Sequence, residues 1–225
     1  MRPTALIAAL ISLASLIGLL SGLPASHAQE SDPILAALQA PAEAAAAARA
    51  SELLRDPNTP VLGNAAGDVV LVKFVDYNCP YCKAIEPKLD ALLSEDKGIK
   101  LVVKEFPILG PASVVAARAA LAAARQGKYA AFHHALMGYR GRLTDEVTFA
   151  TAKDVGLDLE KLRRDMSSPE IGDQIIANYN LARALKVSVT PGYIVNAHVL
   201  SGVSAKTSTA KIDFPAEIAA ARAKK

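Results

Sequence analysis

The sequence contains very little cysteine. Only two of its 225 residues are cysteines, Cys79 and Cys82, and there is no second pair. A structural zinc site takes about four ligands, and the four histidines do not have zinc-finger spacing relative to this pair. Lys83 follows the second cysteine, whereas a c-type haem attachment motif has histidine there. We therefore predict neither a metal site nor a bound cofactor.

The sequence also lacks an excess of charge of either sign. It has 25 basic and 22 acidic residues and a formal net charge of +3. This balance gives no reason to expect binding to nucleic acid or to an anionic membrane. Hydrophobic residues make up 52% of the chain, which is enough for one substantial core and is not typical of a disordered protein.

Long apolar runs are absent after the N-terminal region. Arg2 supplies a positive charge, residues 5–23 are apolar, and residues 26–28 have the small-x-small pattern of a cleavage site. We therefore predict a signal peptide at residues 1–28, cleaved near Ala28, and export to the periplasm or another space outside the cytoplasm. An uncleaved membrane anchor is the alternative, since the run is nearly long enough to span a bilayer. The serine and glycine residues within the run favour cleavage.

The cysteines lie where a predicted strand gives way to a predicted helix. Residues 69–75 form an apolar run, typical of a strand buried on both faces, that only Lys73 interrupts. Pro80 favours a helix start, because its missing N–H would be unpaired there in any case. Cys79 would then lie at the helix N-terminus, where the dipole lowers a thiol pKa below about 8.5. We expect Cys79 to be an accessible, attacking thiolate and Cys82, one turn further in, to be less exposed.

A structural disulfide is the alternative interpretation of the cysteine pair. Closing so short a loop stabilises a fold by only about 2 kcal/mol. An exported chain with no other cysteines has no disulfide framework to which this pair could belong. The spacing therefore favours redox chemistry over a structural role.

An alanine-rich segment precedes the domain that carries the cysteines. Asp32 and Pro33 predict a helix start, and a second helix could begin at Pro41. Residues 29–58 are predicted to form a helical arm and linker. The arm has few large apolar side chains, so two interpretations remain open: it docks on its own domain, or residues 29–55 pair with other subunits of a homo-oligomer.

The remaining residues predict a sheet divided by a block of helices. Its predicted elements are strands at 61–63, 69–75, 99–106 and 187–195, helices between Ala112 and Leu185, a hairpin partner at 199–203 and a closing helix at 214–222. A strand, helix and strand joined in this way form a right-handed parallel unit. We place the first part of the sheet domain at 59–109, the helical insertion at 110–186 and the second part at 187–225.

Two motifs carry a family resemblance. FVDYNCPYCK at residues 74–83 and VTPGYIV at residues 189–195 resemble the two active-site segments of the DsbA-like branch of the thioredoxin superfamily, in particular the ScsC-like proteins. The resemblance covers residues 61–223. It implies an α/β thioredoxin fold with an inserted all-helical domain and an N-terminal helical arm.

The resemblance also implies roles for individual residues. Cys79 would attack and Cys82 would resolve the mixed disulfide. Thr190 and Pro191 would form a loop that faces the dithiol, with a cis peptide bond between them. An extended substrate segment would pair with that loop by strand addition, next to Tyr81.

Lys73 departs from the pattern of the family, in which many relatives have a buried acidic residue. Our hypothesis is that Lys73, together with Pro80 at the helix start, tunes the pKa of Cys79 by stabilising the thiolate. The alternative is that Lys73 extends to solvent while Asp76 compensates for the missing acid. A weaker departure is Val189, where relatives commonly have glycine, which would restrict the loop.

His133 and His134 are adjacent in the sequence. Adjacent residues on a helix point in different directions, so this pair lacks the i, i+4 spacing of a zinc-binding helix. We interpret both as surface or helix-capping histidines.

The implied function is disulfide exchange with protein substrates. Thr190 and the arm favour an isomerase or reductase kept reduced by a DsbD-like membrane protein, while Lys73 favours the opposite direction. The alternative is a monomeric DsbA-type oxidase served by a DsbB-like partner. A third possibility is a copper-binding or copper-tolerance protein that uses the same thiolates, although no methionine-rich tract supports it.

Overall fold

The computed structural model describes residues 33–200 and 212–224. The predicted signal peptide lies outside these residues, as does most of the predicted hairpin partner at 199–203. The described strands are β1 Val61–Gly63, β2 Val69–Val75, β3 Ile99–Glu105, β4 Gly192–Val195 and β5 His198–Val199. The described helices are α1 Pro33–Ala48, α2 Ala50–Leu54, α3 Pro80–Glu95, α4 Pro111–Ala124, α5 Tyr129–Gly138, α6 Asp145–Asp154, α7 Leu159–Met166, α8 Pro169–Ala184 and α9 Phe214–Ala223. Within these ranges, no helix is both long and apolar enough to cross a bilayer.

The sheet has the strand order β1-β3-β2-β4-β5. β2 and β3 pair in parallel and are connected by α3, and the other neighbours pair antiparallel. β2 is β-branched and apolar along nearly its whole length, as is typical of a strand covered on both faces. β3 is apolar at its centre but also carries Lys100, Lys104 and Glu105. This arrangement confirms the predicted α/β class with a helical insertion between two parts of the sheet.

Each face of the sheet has its own core. Alternate residues of a strand point to opposite faces, so Leu71 and Val75 contribute to one core while Val72 and Phe74 contribute to the other. The first core includes buried residues of α3 to α7, and the second includes residues of α1, α2 and α8. The dithiol belongs to the first core, between the sheet and the helical insertion.

The arm from Ala42 onward docks on its own domain. Ala46 and Leu53 are fully buried in the second core, against β2 and β3. The Lys104 ammonium, also buried on this face, donates to the Glu52 carbonyl at 2.7 Å. From Ala42 onward the arm therefore docks on its own domain, which is one of the two interpretations given above. Pairing of the arm with other subunits stays a prediction.

Two element boundaries differ from those predicted. α1 continues through Pro41 and ends at Ala48, because loss of one N–H donor does not break a helix so rich in alanine. The last long strand was predicted over residues 187–195, but β4 begins only at Gly192. The residues before it instead form an irregular turn that ends in a cis Thr190–Pro191 peptide bond.

The docked arm gives a testable stability prediction. Leu53→Ala removes a fully buried side chain and should lower the free energy of unfolding by about 2–5 kcal/mol, measured by urea denaturation. The control is Ile176→Ala on α8, where the side chain is 59% exposed and the change should stay within about 0.5 kcal/mol. Equal midpoints for the two variants would contradict the docking of α2.

Candidate functional site

Asp76 holds the loop that carries Cys79. Its Oδ1 accepts hydrogen bonds from the Asn78 backbone N–H at 2.8 Å and the Ser113 hydroxyl at 2.7 Å. Its Oδ2 accepts from the backbone N–H groups of Ile108 and Leu109 at 2.8 and 2.9 Å. One carboxylate therefore ties the end of β2 to the loop after β3 and to α4. This role, rather than compensation for Lys73, is what the structure assigns to Asp76.

Cys79 is the N-cap residue of α3. Its backbone is extended, with φ −80° and ψ 116°, and Pro80 follows in the first turn as predicted. The Cys79 Sγ lies 3.1 Å from the Thr190 carbonyl oxygen. Hydrogen bonding from the Cys82 thiol lowers the pKa of Cys79 to about 6, with help from the backbone N–H groups of Cys82 and Tyr81 and against the effect of burial.

The pKa of Cys82 is shifted in the opposite direction to that of Cys79. Burial raises its pKa well above 9.0, and the hydrogen bond to Cys79 raises it further. The charge of Lys73 acts in the other direction, toward the thiolate. The two sulfurs are not bonded to each other, so the structure shows the dithiol form. Such a pair can present one thiolate for attack while keeping the second sulfur protonated.

The dithiol is more enclosed than the sequence predicts. Only 3% of the Cys79 surface is exposed and none of Cys82, and the carbonyl oxygen of the buried Thr190 lies against the Cys79 sulfur. Tyr81, which lies between the two cysteines in the sequence, is 38% exposed. The structure thus brings the predicted residues of the dithiol and the proline turn together and leaves only a small part of the Cys79 surface exposed to an attacking group.

Lys73 is fully buried and does not reach solvent, so the alternative in which it extends outward is wrong. Its ammonium pairs with the Glu86 carboxylate. Burial alone would raise the pKa of Glu86, but the hydrogen bond from His133 and the charge of Lys73 lower it to about 2. Glu86 was not identified from the sequence as a site residue. The only sequence feature that indicates its role is its i, i+4 spacing from Cys82 on α3.

His133 is fully buried, so its interpretation as a surface or capping histidine is wrong. It lies between Tyr77 and Glu86 because α5 packs against α3. His134 is exposed, with its Nδ1 3.5 Å from Asp90. Among the described residues, Glu86, Asp90 and His134 are close enough to share a cation. The Lys73 ammonium already pairs with the Glu86 carboxylate, and its positive charge would repel a metal cation.

A groove of about 820 Å³ lies beside the first turn of α3. Its lining includes Pro80, Lys83, Leu109 and residues 137–142. The Lys83 ammonium is fixed there by the carbonyl oxygens of Tyr139 and Gly141, each at 2.8 Å. The groove therefore combines apolar surface with positive charge next to the dithiol.

Comparison with known proteins places this arrangement in a family. The DSBA-like thioredoxin domain matches residues 70–208. The chain belongs to the DSBA-like thioredoxin domain family. Its dithiol and its proline turn both lie within the matched residues.

Solved structures share the fold. A thioredoxin-like oxidoreductase from Silicibacter pomeroyi DSS-3 has 42% sequence identity and a TM-score of 0.69, covering 77% of this chain and 96% of that one. The catalytic domain of ScsC from Proteus mirabilis has a TM-score of 0.70, covering 80% of this chain and 98% of that one. At 24% identity this second likeness concerns the fold alone.

A curated relative is a much longer protein. A Na(+)/H(+) antiporter NhaA 1 of Salinispora arenicola is 31% identical over 138 residues, which is 60% of this chain. The chain spans only 21% of that protein. The activity of that protein as a whole is therefore not carried over to this chain.

The geometry predicts which groups set the Cys79 pKa. In reduced protein, thiolate absorbance near 240 nm should titrate with a midpoint at about pH 6. The double variant Lys73→Met/Glu86→Gln, which removes both buried charges together, should keep this midpoint, because the helix N-terminus and Cys82 determine it. The Cys79→Ser variant should lose the step. A midpoint near 9 in the double variant would show instead that Lys73 sets the pKa, as hypothesised from the sequence.

Proposed function

We propose that this chain is an exported thiol–disulfide oxidoreductase that exchanges disulfides with protein clients through Cys79 and Cys82. The observation that carries the proposal is the asymmetry of the pair. The pKa of Cys79 is lowered to about 6 at the start of α3, while that of the enclosed Cys82 is raised well above 9.0. One sulfur is thus ready to attack at neutral pH, and the other stays protonated until it is needed.

The exchange proceeds in either direction with the same atoms. As an oxidase, a client thiolate attacks Cys79 of the Cys79–Cys82 disulfide and Cys82 leaves. A second client thiolate then attacks the client sulfur of the mixed disulfide and releases reduced Cys79. As a reductase or isomerase, the Cys79 thiolate attacks a client disulfide, and either Cys82 or another client thiolate resolves the bond.

Client binding is proposed at the proline turn. The Thr190 carbonyl faces Cys79 Sγ, and the turn precedes β4, so an extended client segment can lie along it by strand addition. The exposed Tyr81 ring would cover one side of this segment. The groove beside Lys83 would take residues that flank the client cysteine, and its charge favours acidic ones.

The direction of exchange depends on the redox partner. Stabilising the Cys79 thiolate stabilises the reduced form of the protein and so makes its disulfide more oxidising. Both oxidases and isomerases have such an oxidising disulfide, so this property alone does not decide the direction. We favour the isomerase or reductase direction, with a DsbD-like membrane partner and a homo-oligomer formed through residues 29–55. A monomeric oxidase with a DsbB-like partner is the alternative. The periplasm is the proposed location.

Two refolding assays test the function and its direction. Scrambled ribonuclease should regain activity with the reduced protein, and Cys79→Ser should abolish this, with a loss of about 100-fold or more, because no attacking thiolate remains. Cys82→Ser should keep part of the isomerase activity but lose the oxidation of reduced ribonuclease. A Cys79→Ser variant as active as the wild type would contradict the proposed site.

A further inference from the structure

A chain of buried hydrogen bonds extends from Glu105, at the end of β3, to the Lys73–Glu86 pair. The Glu105 Oε1 lies 2.9 Å from the Tyr77 hydroxyl, which lies 2.8 Å from His133 Nδ1. The His133 Nε2 lies 3.1 Å from Glu86 Oε1, and the other Glu86 oxygen pairs with Lys73. All five residues are buried. The mechanism proposed above uses none of the links between Glu105 and Glu86.

The Lys73–Glu86 pair forms the end of this chain near Cys82. Cys82 and Glu86 are four residues apart on α3, so their side chains lie on one face of the helix, one turn apart. The charge of Lys73 acts directly on the Cys82 thiol. A proton that enters or leaves Cys82 therefore has the pair beside it.

Proton positions along the chain follow from its partners. Burial lowers the pKa of His133 to about 4, so the ring is neutral at pH 7 and carries one N–H. That proton belongs on Nε2, facing the Glu86 carboxylate, and Nδ1 then accepts the single Tyr77 proton. In this arrangement the Tyr77 oxygen accepts from Glu105, which is then protonated.

The electrostatics of Glu105 agree with this assignment. Burial raises its pKa to about 8, although the hydrogen bonds from Tyr129 and Tyr77 lower it. The charge of Asp76 raises it further, and that of Lys73 lowers it. The Glu105 Oε2 has no hydrogen-bond partner among the described residues.

Two further polar residues near Glu105, Lys104 and Asn178, make no hydrogen bond to its carboxyl group. Lys104, its neighbour in β3, points to the opposite face, toward Glu52 and Asp56. From α8, Asn178 contacts only the backbone carbonyl of Glu105. The titration of this carboxyl therefore depends on the two tyrosines, Asp76 and Lys73.

A second proton arrangement uses the same heavy atoms. Glu105 gives its proton to Tyr77, Tyr77 gives its own to His133 Nδ1, and His133 releases the Nε2 proton to Glu86. Glu105 is then a carboxylate that accepts from Tyr77 and from Tyr129, whose hydroxyl lies 2.7 Å away. The two arrangements differ only by proton transfers within hydrogen bonds, and His133 changes tautomer.

We propose that Glu105 stores the proton that Cys82 takes up or releases during disulfide exchange, with Tyr77, His133 and the Lys73–Glu86 pair as the path. The inference rests on the proposed function. Glu105 contacts neither sulfur, so it acts on Cys82 only through the residues of the path. It is therefore a positioning residue and not a catalytic one.

The step balances in both directions. When a client thiolate attacks Cys79, the S–S bond breaks and Cys82 takes the electron pair. The Lys73–Glu86 pair protonates Cys82 and is reprotonated through His133 and Tyr77, leaving Glu105 as carboxylate. When Cys82 resolves a mixed disulfide, its proton moves along the same path to the Glu105 carboxylate, the Cys79–Cys82 bond forms, and the client leaves as a thiolate.

Reaction of the reduced protein with 5,5′-dithiobis(2-nitrobenzoate) separates the two sulfurs. Stopped-flow absorbance should show a first release of thionitrobenzoate when Cys79 attacks and a second when Cys82 resolves the adduct. The second rate should rise through about pH 8, since Glu105 must lose its proton before it can accept another. Glu105→Gln should remove this inflection and slow the second phase about 100-fold at pH 9, with the first phase unchanged.

Two tyrosine variants provide the matched comparison. Tyr77→Phe interrupts the path and should slow the second phase as Glu105→Gln does. It also decides the question by itself if Glu105→Gln does not fold. Tyr129→Phe removes a hydroxyl from the same carboxyl group but leaves the path intact. It should keep the inflection, moved to higher pH because a donor that lowers the Glu105 pKa is lost.

A second phase with the same rate and the same inflection in Glu105→Gln or Tyr77→Phe would overturn the proposal, while the first phase would still support the oxidoreductase site. Absence of the first phase in the wild type would instead contradict the proposed function itself. The two failures are therefore distinguishable in one experiment.

Discussion

The start of α3 is the constraint on which the rest of this structure depends. In the proposed function, Cys79 acts as a nucleophile because its sulfur faces the free N–H groups of the first helical turn, which lower its pKa. That position is fixed by the four hydrogen bonds to Asp76, which join this loop to the loop after β3 and to α4. The Thr190 carbonyl then limits the approach to the sulfur from the other side. Thiolate stability and client access thus result from the same few backbone contacts.

The buried charges beneath the dithiol form a balanced group. Lys73 alone on the inner face of β2 would carry a severe desolvation penalty, which Glu86 offsets by direct pairing. Glu86 in turn holds His133, which connects the pair to Tyr77 and Glu105. This arrangement places a positive charge near Cys82 rather than at Cys79. The charge of the unusual lysine therefore acts on the Cys82 thiol more than on that of Cys79.

Much of the sheet could be predicted from the sequence, because its signals are local. The apolar run of β2, the helix start at Pro80 and the helical stretch after Pro111 each depend on neighbouring residues. The irregular turn before Gly192 was mistaken for strand, since its residues are β-branched and only its tertiary position decides its conformation. The continuation of α1 through Pro41 was missed because alanine propensity outweighed the proline signal.

The polar half of the site could not be predicted in the same way. Glu86 on α3, Glu105 on β3 and Tyr77 in the loop before α3 are joined in one network only when α5 brings His133 and Tyr129 between them. No sequence pattern predicts such a network. The adjacent histidines instead indicated residues on the surface of a helix. The family resemblance located Cys79, Cys82 and the Thr190–Pro191 turn, since those residues lie within contiguous motifs. The hydrogen-bonded network beneath them required the structure.

The pH dependence of the reduction potential of the Cys79–Cys82 couple tests the central claim most directly. If Cys79 is a thiolate above pH 6 while Cys82 keeps its proton, two electrons bring one proton, and the potential should fall by about 30 mV per pH unit between pH 6.5 and 8.5. Below the Cys79 pKa two protons accompany the electrons, and the slope should steepen to about 59 mV per pH unit. A slope of about 59 mV per pH unit up to pH 8.5 would mean that Cys79 is an ordinary thiol, and would contradict the account.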